Sequence, residues 1–325
     1  MRVLVTGGAG FIGSHLVDAL LFHGHEVVVL DDLSTGKKDN LAPLTGHERL
    51  RFVEGSILDE QTVEEAMRGS GVVYHLAAAV GVAHILRDPL KSILTNVRGS
   101  EVVFAEASRI GCKIVLASTS EVYGKSQKIP FAENDDRLLG PTGVVRWSYS
   151  TAKALDEHLA LAYAMRGLPV VIVRYFNAYG PRLGPRGYGS VVAKFIGQAL
   201  RGEPLSVHGD GRQTRCFCYV ADLVRGTVLA ATSPEAEGEV FNIGRDVETS
   251  ILTLAETIIS LTHSSSQIRF VPYDEAYGTG FEDIPRRVPN VAKAERLLGF
   301  RAETALEVGL SHTITWMAKE CRNAD

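Results

Sequence analysis

Gly7-Gly8-Ala9-Gly10-Phe11-Ile12-Gly13 decides how this chain is read. The segment follows a short apolar run, Val3-Leu4-Val5, and opens an amphipathic stretch that continues to Phe22. Glycines at 7, 10 and 13 permit a tight turn and close backbone approach. N–H groups at the start of the following helix can then hold a pyrophosphate. A glycine triplet alone is compatible with an ordinary turn. Here a second apolar run at 27–30 ends on Asp31-Asp32. An acidic residue at that strand end hydrogen-bonds adenosine ribose hydroxyls and repels a 2′-phosphate, so the pattern points to NAD rather than NADP. The simpler reading of the two aspartates, an N-capping pair before a loop, stands beside it.

Outward from this segment, apolar runs at 3–5, 27–30, 51–54, 72–75, 113–117 and 170–175 predict strands. Amphipathic stretches at 11–22, 61–68, 90–109 and 149–166 predict the helices between them. Strands apolar on both faces, alternating with helices, imply an α/β fold with a Rossmann-type doubly wound parallel sheet. Ligands on such sheets sit beyond the carboxyl ends of the strands. From about Asn177 the texture changes, with turn formers at 180–187 and 208–211. The expected division is an NAD-binding domain over 1–177, to which 216–245 returns, and a smaller C-terminal α/β substrate domain over 178–325.

The 325 residues are 45% hydrophobic with a net charge of −4, an ordinary globular composition without a basic surplus for nucleic acid or membrane. No apolar run approaches the roughly 20 residues of a membrane span. The N-terminus enters a strand pattern at once, so no secretory signal is expected. The cysteines are Cys112, Cys216, Cys218 and Cys321. Cys216 and Cys218 lack the further ligands a zinc site needs, so no metal is expected; reduced thiols in a cytoplasmic setting are.

Two further segments carry chemistry. Tyr149-Ser150-Thr151-Ala152-Lys153 places a phenol and an ammonium on one helix face, where the cation lowers the phenol's pKa. Ser118-Thr119-Ser120-Glu121-Val122-Tyr123-Gly124 follows the fifth predicted strand. Its hydroxyls can share a sugar hydroxyl's proton while NAD takes a hydride, or merely satisfy loop backbone.

Over nearly its whole length the chain resembles the extended short-chain dehydrogenase/reductases, the NAD-dependent epimerases and dehydratases of nucleotide sugars. The resemblance places their Thr/Ser–Tyr–Lys triad on Thr119, Tyr149 and Lys153, and a cofactor-loop asparagine on Asn96. It implies further cofactor contacts at Phe11, Ile12, Ser56, Ile57, Leu76, Ala77, Ala78 and Ala117. Many members carry Asp at position 56, so Ser56 is a departure at the adenine contact. Nucleotide-sugar contacts are implied at Val80, Arg146, Asn177, Val191 and Arg215, and a homodimer through the helices near 90–110 and 150–166.

Within that family the chain is most similar to the UDP-glucuronate decarboxylases, including the UDP-xylose synthases. Thr119-Ser120-Glu121, Arg146 and the segments 202–217 and 277–289 carry the similarity. By resemblance Ser120, Glu121 and Arg287 join the catalytic set. The implied reaction oxidises the sugar at C4 and expels the C5 carboxylate as carbon dioxide. A UDP-sugar 4-epimerase, acting on UDP-glucuronate or UDP-glucose, is the alternative. A 4,6-dehydratase and a non-catalytic NAD sensor are more distant ones: Asp31-Asp32 argues against the NADP-using GDP-mannose dehydratases, and the complete triad argues against a sensor.

Overall fold

The computed structural model describes residues 1–81, 88–184, 190–277 and 284–324. Its strands are β1 (Arg2–Thr6), β2 (Glu26–Asp31), β3 (Leu50–Glu54), β4 (Val72–His75), β5 (Lys113–Thr119), β6 (Val170–Tyr175), β7 (Ala178–Tyr179), β8 (Leu205–His208), β9 (Thr214–Cys216), β10 (Cys218–Tyr219), β11 (Val240–Ile243), β12 (Glu248–Ser250), β13 (Ile268–Val271) and β14 (Arg286–Arg287). The helices that frame the site are α1 (Phe11–Phe22), α2 (Glu60–Met67), α3 (Pro89–Ile110), α4 (Trp147–Ala164), α5 (Val191–Leu200), α6 (Val220–Thr232) and α7 (Ile251–Thr262).

Seven strands form one sheet in the order β11-β6-β5-β4-β1-β2-β3, with every neighbouring pair parallel. The order reverses between β1 and β4, and a crevice opens there at the strands' carboxyl ends. The strand sequences explain the sheet. Val3, Leu4 and Val5, like Val27 to Leu30, are fully buried, because helices cover both faces. One apolar layer joins α1 and α6 to the sheet, and another joins α2, α3 and α4 to its other face. A third core, built on Phe195, Leu205, Leu254 and Ile258, fills the C-terminal part.

The predicted strands and helices of the first half lie within about two residues of those observed. The second half differs. Strand β11 pairs with β6, but β10 pairs with β7, so the segment around Phe217 stays outside the large sheet. A small sheet, β12-β9-β14, was not foreseen. Its register sets Arg215 beside Arg287, although the two are far apart in sequence. Positions 185–187 and 278–283, part of two segments quoted above, lie outside the described residues.

Helix α4 is fixed to the sheet by charge as well as by packing. Arg174 on β6 donates to both Glu157 oxygens, from Nε at 2.9 Å and Nη2 at 2.6 Å. Ser118 on β5 donates to the same carboxylate. Both charged side chains are only 7% exposed. Removing one member of such a pair strands a buried charge. Glu157→Gln is therefore expected to lower unfolding free energy by about 3 kcal/mol in urea titration. A change below about 0.5 kcal/mol would show that packing alone seats the helix.

Candidate active site

The turn after β1 begins the site. Gly7 has φ of +71°, and a Cβ there would come within 2.8 Å of Ala77 N. A Cβ on Gly13 would stand 2.1 Å from Gly7 O, so the helix can approach the strand only with glycine here. Gly10 is the N-cap of α1 and has no side chain to cap with, which leaves the first-turn N–H groups of Phe11, Ile12 and Gly13 facing outward. At the end of β2 the Asp31 carboxylate accepts from Ala9 N at 2.9 Å and Leu33 N at 2.8 Å. Burial raises its pKa, and those two backbone bonds oppose the rise. Asp32 turns to Ser34 instead, accepting from its N–H and its hydroxyl.

These residues border a cavity of about 550 Å³ that runs from the glycine turn to β8 and β9. Gly7, Gly10, Phe11, Ile12, Gly13, Asp31, Asp32, Ile57, Leu76, Ala77, Ala78 and Ala117 line one end. Thr119, Ser120, Glu121 and Tyr149 lie at its middle. Val80, Arg146, Asn177, Val191, Arg215 and Arg287 line the remainder. Three expected site residues do not reach the wall. Ser56 spends its hydroxyl on its own turn, accepting from Leu58 N at 3.2 Å. Asn96 is buried and clamps the loop after β4, accepting from Ala79 N at 2.7 Å and donating to Ala79 O at 3.2 Å. Lys153 sits behind Tyr149, 2% exposed.

The cavity fits NAD on three counts. Side chains are excluded where a pyrophosphate needs backbone contact, a carboxylate stands at the end of β2, and apolar residues line the walls between them. When bound, NAD supplies a hydride acceptor.

At the centre, Thr119 hydrogen-bonds Tyr149. Glu121 lies between two guanidiniums, with Arg287 Nη1 at 2.5 Å from Oε1 and Arg146 Nη2 at 3.5 Å from Oε2. Burial alone would raise the Glu121 pKa, but Arg287, Arg146 and Arg215 hold it below the ordinary range. Tyr149 departs from the expectation drawn from spacing. Its pKa is raised, first by burial and then by the charges of Glu121 and Asp156. Burial is the main physical reason, and one turn along α4 Lys153 Nζ donates to Asp156 Oδ2 at 2.9 Å.

The far end of the cavity holds groups that motif reading missed. Lys194 on α5 donates to His208 Nε2 at 2.9 Å, and both line the wall with Gln213 and Tyr273. Burial lowers the Lys194 pKa. The strand-end rule could have found His208, which closes β8; nothing in the local sequence marks Lys194.

A family model described as the NAD dependent epimerase/dehydratase family matches residues 3–244. The UDP-N-acetyl-alpha-D-glucosaminuronate decarboxylase of Bacillus cytotoxicus is 46% identical, covering 97% of this chain and 97% of that protein. UDP-glucuronic acid decarboxylase 1 of Danio rerio is 38% identical over 98% of this chain and 73% of its own length. Among solved structures, a UDP-glucuronic acid 4-epimerase from Bacillus cereus, in complex with UDP-glucuronic acid and NAD, superposes with a TM-score of 0.87. It shares 30% identity and covers 98% of this chain and 100% of that one.

Asp31→Ala is expected to weaken NAD binding by at least about tenfold in calorimetry, with little change for UDP. An unchanged NAD affinity would transfer the ribose contact to Asp32.

Proposed function

Because this chain belongs to the NAD-dependent epimerase/dehydratase family, it is an NAD-dependent enzyme, and we propose that it decarboxylates a UDP-linked hexuronate such as UDP-glucuronate. One observation carries this reading. Arg287 and Arg146 converge on Glu121 in the same cavity as Thr119 and Tyr149. Arg287 is 8% exposed, and its Nε has no hydrogen-bond partner among the described residues. Glu121 balances one of these guanidiniums, and the second cation beside it suits a uronate carboxylate better than a neutral sugar.

The residues then divide the work. Tyr149, as phenolate, takes the C4 hydroxyl proton while the C4 hydrogen leaves as hydride, and Thr119 orients both oxygens. The C5 carboxylate is then β to a ketone. Its C–C bond breaks to release carbon dioxide, and the electron pair flows into the ring ketone as an enolate. Arg287 orients the carboxylate beforehand, and Ser120 and Glu121 position the ring and manage the proton delivered to C5. Asn177, Val191 and Arg215 hold the nucleotide end, with Lys194 and His208 beside the diphosphate.

The sugar at C2 is a finer question. The 46% relative is named for a 2-acetamido uronate, and the 38% relative for glucuronate itself. The 4-epimerase reading is supported by the likeness to solved 4-epimerases, the Bacillus cereus enzyme among them. Glu121, which the resemblance to the decarboxylases puts in the catalytic set, favours the decarboxylase reading.

A homodimer through α3 and α4 belongs to the same proposal. Those helices expose Leu90, Ile93, Leu94 and Leu155, at 66%, 39%, 48% and 49%. Among the described residues no helix is long and apolar enough to cross a membrane. The free, buried thiols of Cys112, Cys216 and Cys218 support a cytoplasmic setting.

Purified protein should be incubated with NAD and either UDP-glucuronate or UDP-N-acetylglucosaminuronate, and the products identified by NMR and mass spectrometry. A UDP-pentose, a 2-acetamido UDP-pentose or a 4-keto form is expected. An inverted C4 with the carboxylate intact would establish the epimerase. Tyr149→Phe should cut turnover by at least about two orders of magnitude while NAD still binds. Glu121→Gln should slow carbon dioxide release more than C4 oxidation; equal losses would deny Glu121 a specific role.

A further inference from the structure

Helix α4 carries two adjacent carboxylates with separate partners. Glu157 is committed to Arg174 and Ser118. Asp156 is paired with Lys153, and these two side chains are 1% and 3% exposed. Ser100 on α3 faces the Asp156 carboxylate. Ser100 Oγ also meets His75 Nε2 at 3.1 Å, and His75 Nδ1 meets Thr6 Oγ1 at 2.8 Å. Thr6 Oγ1 accepts from Ala77 N at 3.2 Å, so the chain of contacts ends in the loop that lines the cofactor end of the cavity.

The charges around Tyr149 are few enough to weigh. On its own helix are Lys153 and Asp156, with Arg146 at the helix start. From the turn after β5 comes Glu121, whose charge is met by Arg146, by Arg287 on β14 and by Arg215 on β9. On β4, His75 contributes no charge: burial first, and Lys153 second, push its pKa down to about 3. Lys153, one helical turn from Tyr149, is the cation placed to favour the phenolate, and it is paired with Asp156, whose charge, after burial and that of Glu121, opposes the phenolate.

We propose that Asp156 is a positioning residue that anchors Lys153 and offsets its charge at Tyr149, thereby setting the pH above which the phenolate forms. The inference rests on the reading of Tyr149 as the base for C4 oxidation. Within a low-dielectric interior, a neighbouring charge of this kind moves a pKa by about one unit or more. Neutralising Asp156 leaves the ammonium unopposed and lowers the Tyr149 pKa, so phenolate should form at lower pH. Lys153 keeps an oxygen acceptor in Asp156→Asn, so its position is maintained while the charge is removed.

Two readouts test this. The first is the 13Cζ signal of labelled tyrosine in the NAD-loaded protein at pH 9.5, with Tyr149 identified by the signal lost in Tyr149→Phe. Asp156→Asn should show up to about tenfold more phenolate than the unaltered protein, and Asp156→Glu should match the unaltered protein. The second is the ratio of single-turnover NADH formation at pH 7 to that at pH 9.5, with a UDP-hexuronate as substrate. That ratio should rise severalfold in Asp156→Asn. An unmoved signal, or a rate that falls by the same factor at both pH values, would overturn the proposal and leave Asp156 merely structural. Should Asp156→Asn not fold, Asp156→Ser gives the same readouts. A signal that moves in protein that turns over neither uronate would uphold the inference while removing the proposed reaction.

Discussion

Where α4 crosses the sheet, Arg174 and Glu157 meet in a bidentate pair that neither solvent nor salt can screen effectively. The helix bears Tyr149 and Lys153, and the strand beside it ends near Thr119, through the register of Thr119 with Tyr175. Ser118 donates to the same carboxylate, so the ends of β5 and β6 and the middle of α4 share one anchor. Glu157 is consumed there, and Lys153 pairs instead with its neighbour Asp156.

The second organising feature is the convergence of arginines on Glu121. Arg146 arrives from the start of α4, Arg287 from β14 and Arg215 from β9. A small sheet outside the main one holds the latter two in register. The glycine turn and Asp31 thus belong to the large sheet, and Arg215 and Arg287 to the small one. The turn at Thr119-Ser120-Glu121 lines the cavity together with both sets.

Much of this was legible in the sequence. The glycine turn, Asp31 and the alternation of apolar and amphipathic segments report directly on backbone conformation and burial, which are local properties. The shared helix face of Tyr149 and Lys153 and the polar turn at 118–124 are local signals too, whereas the triad of Thr119, Tyr149 and Lys153 comes from the family resemblance. The pairing of β9 with β14 is long-range, and no short pattern announces it, so the neighbourhood of Arg215 and Arg287 had to come from the structure. Tyr149's acidity also could not be read from spacing. A lysine four residues away suggests a depressed pKa, whereas burial and the Asp156 carboxylate reverse the sign. Ser56, placed at the adenine by the resemblance, accepts a hydrogen bond within its own turn, a partner that position alone does not announce.

Oxidation at C4 as the step that makes the carboxylate leave is the idea most open to direct test. The measurement uses UDP-glucuronate and its 2-acetamido counterpart labelled with 13C at C6, with NADH absorbance and labelled carbon dioxide followed in a single turnover. Absorbance at 340 nm should rise before or together with release of the label, and no 13C should remain on the nucleotide sugar. Label retained on a sugar with inverted C4, or carbon dioxide released without any oxidation at C4, would contradict it.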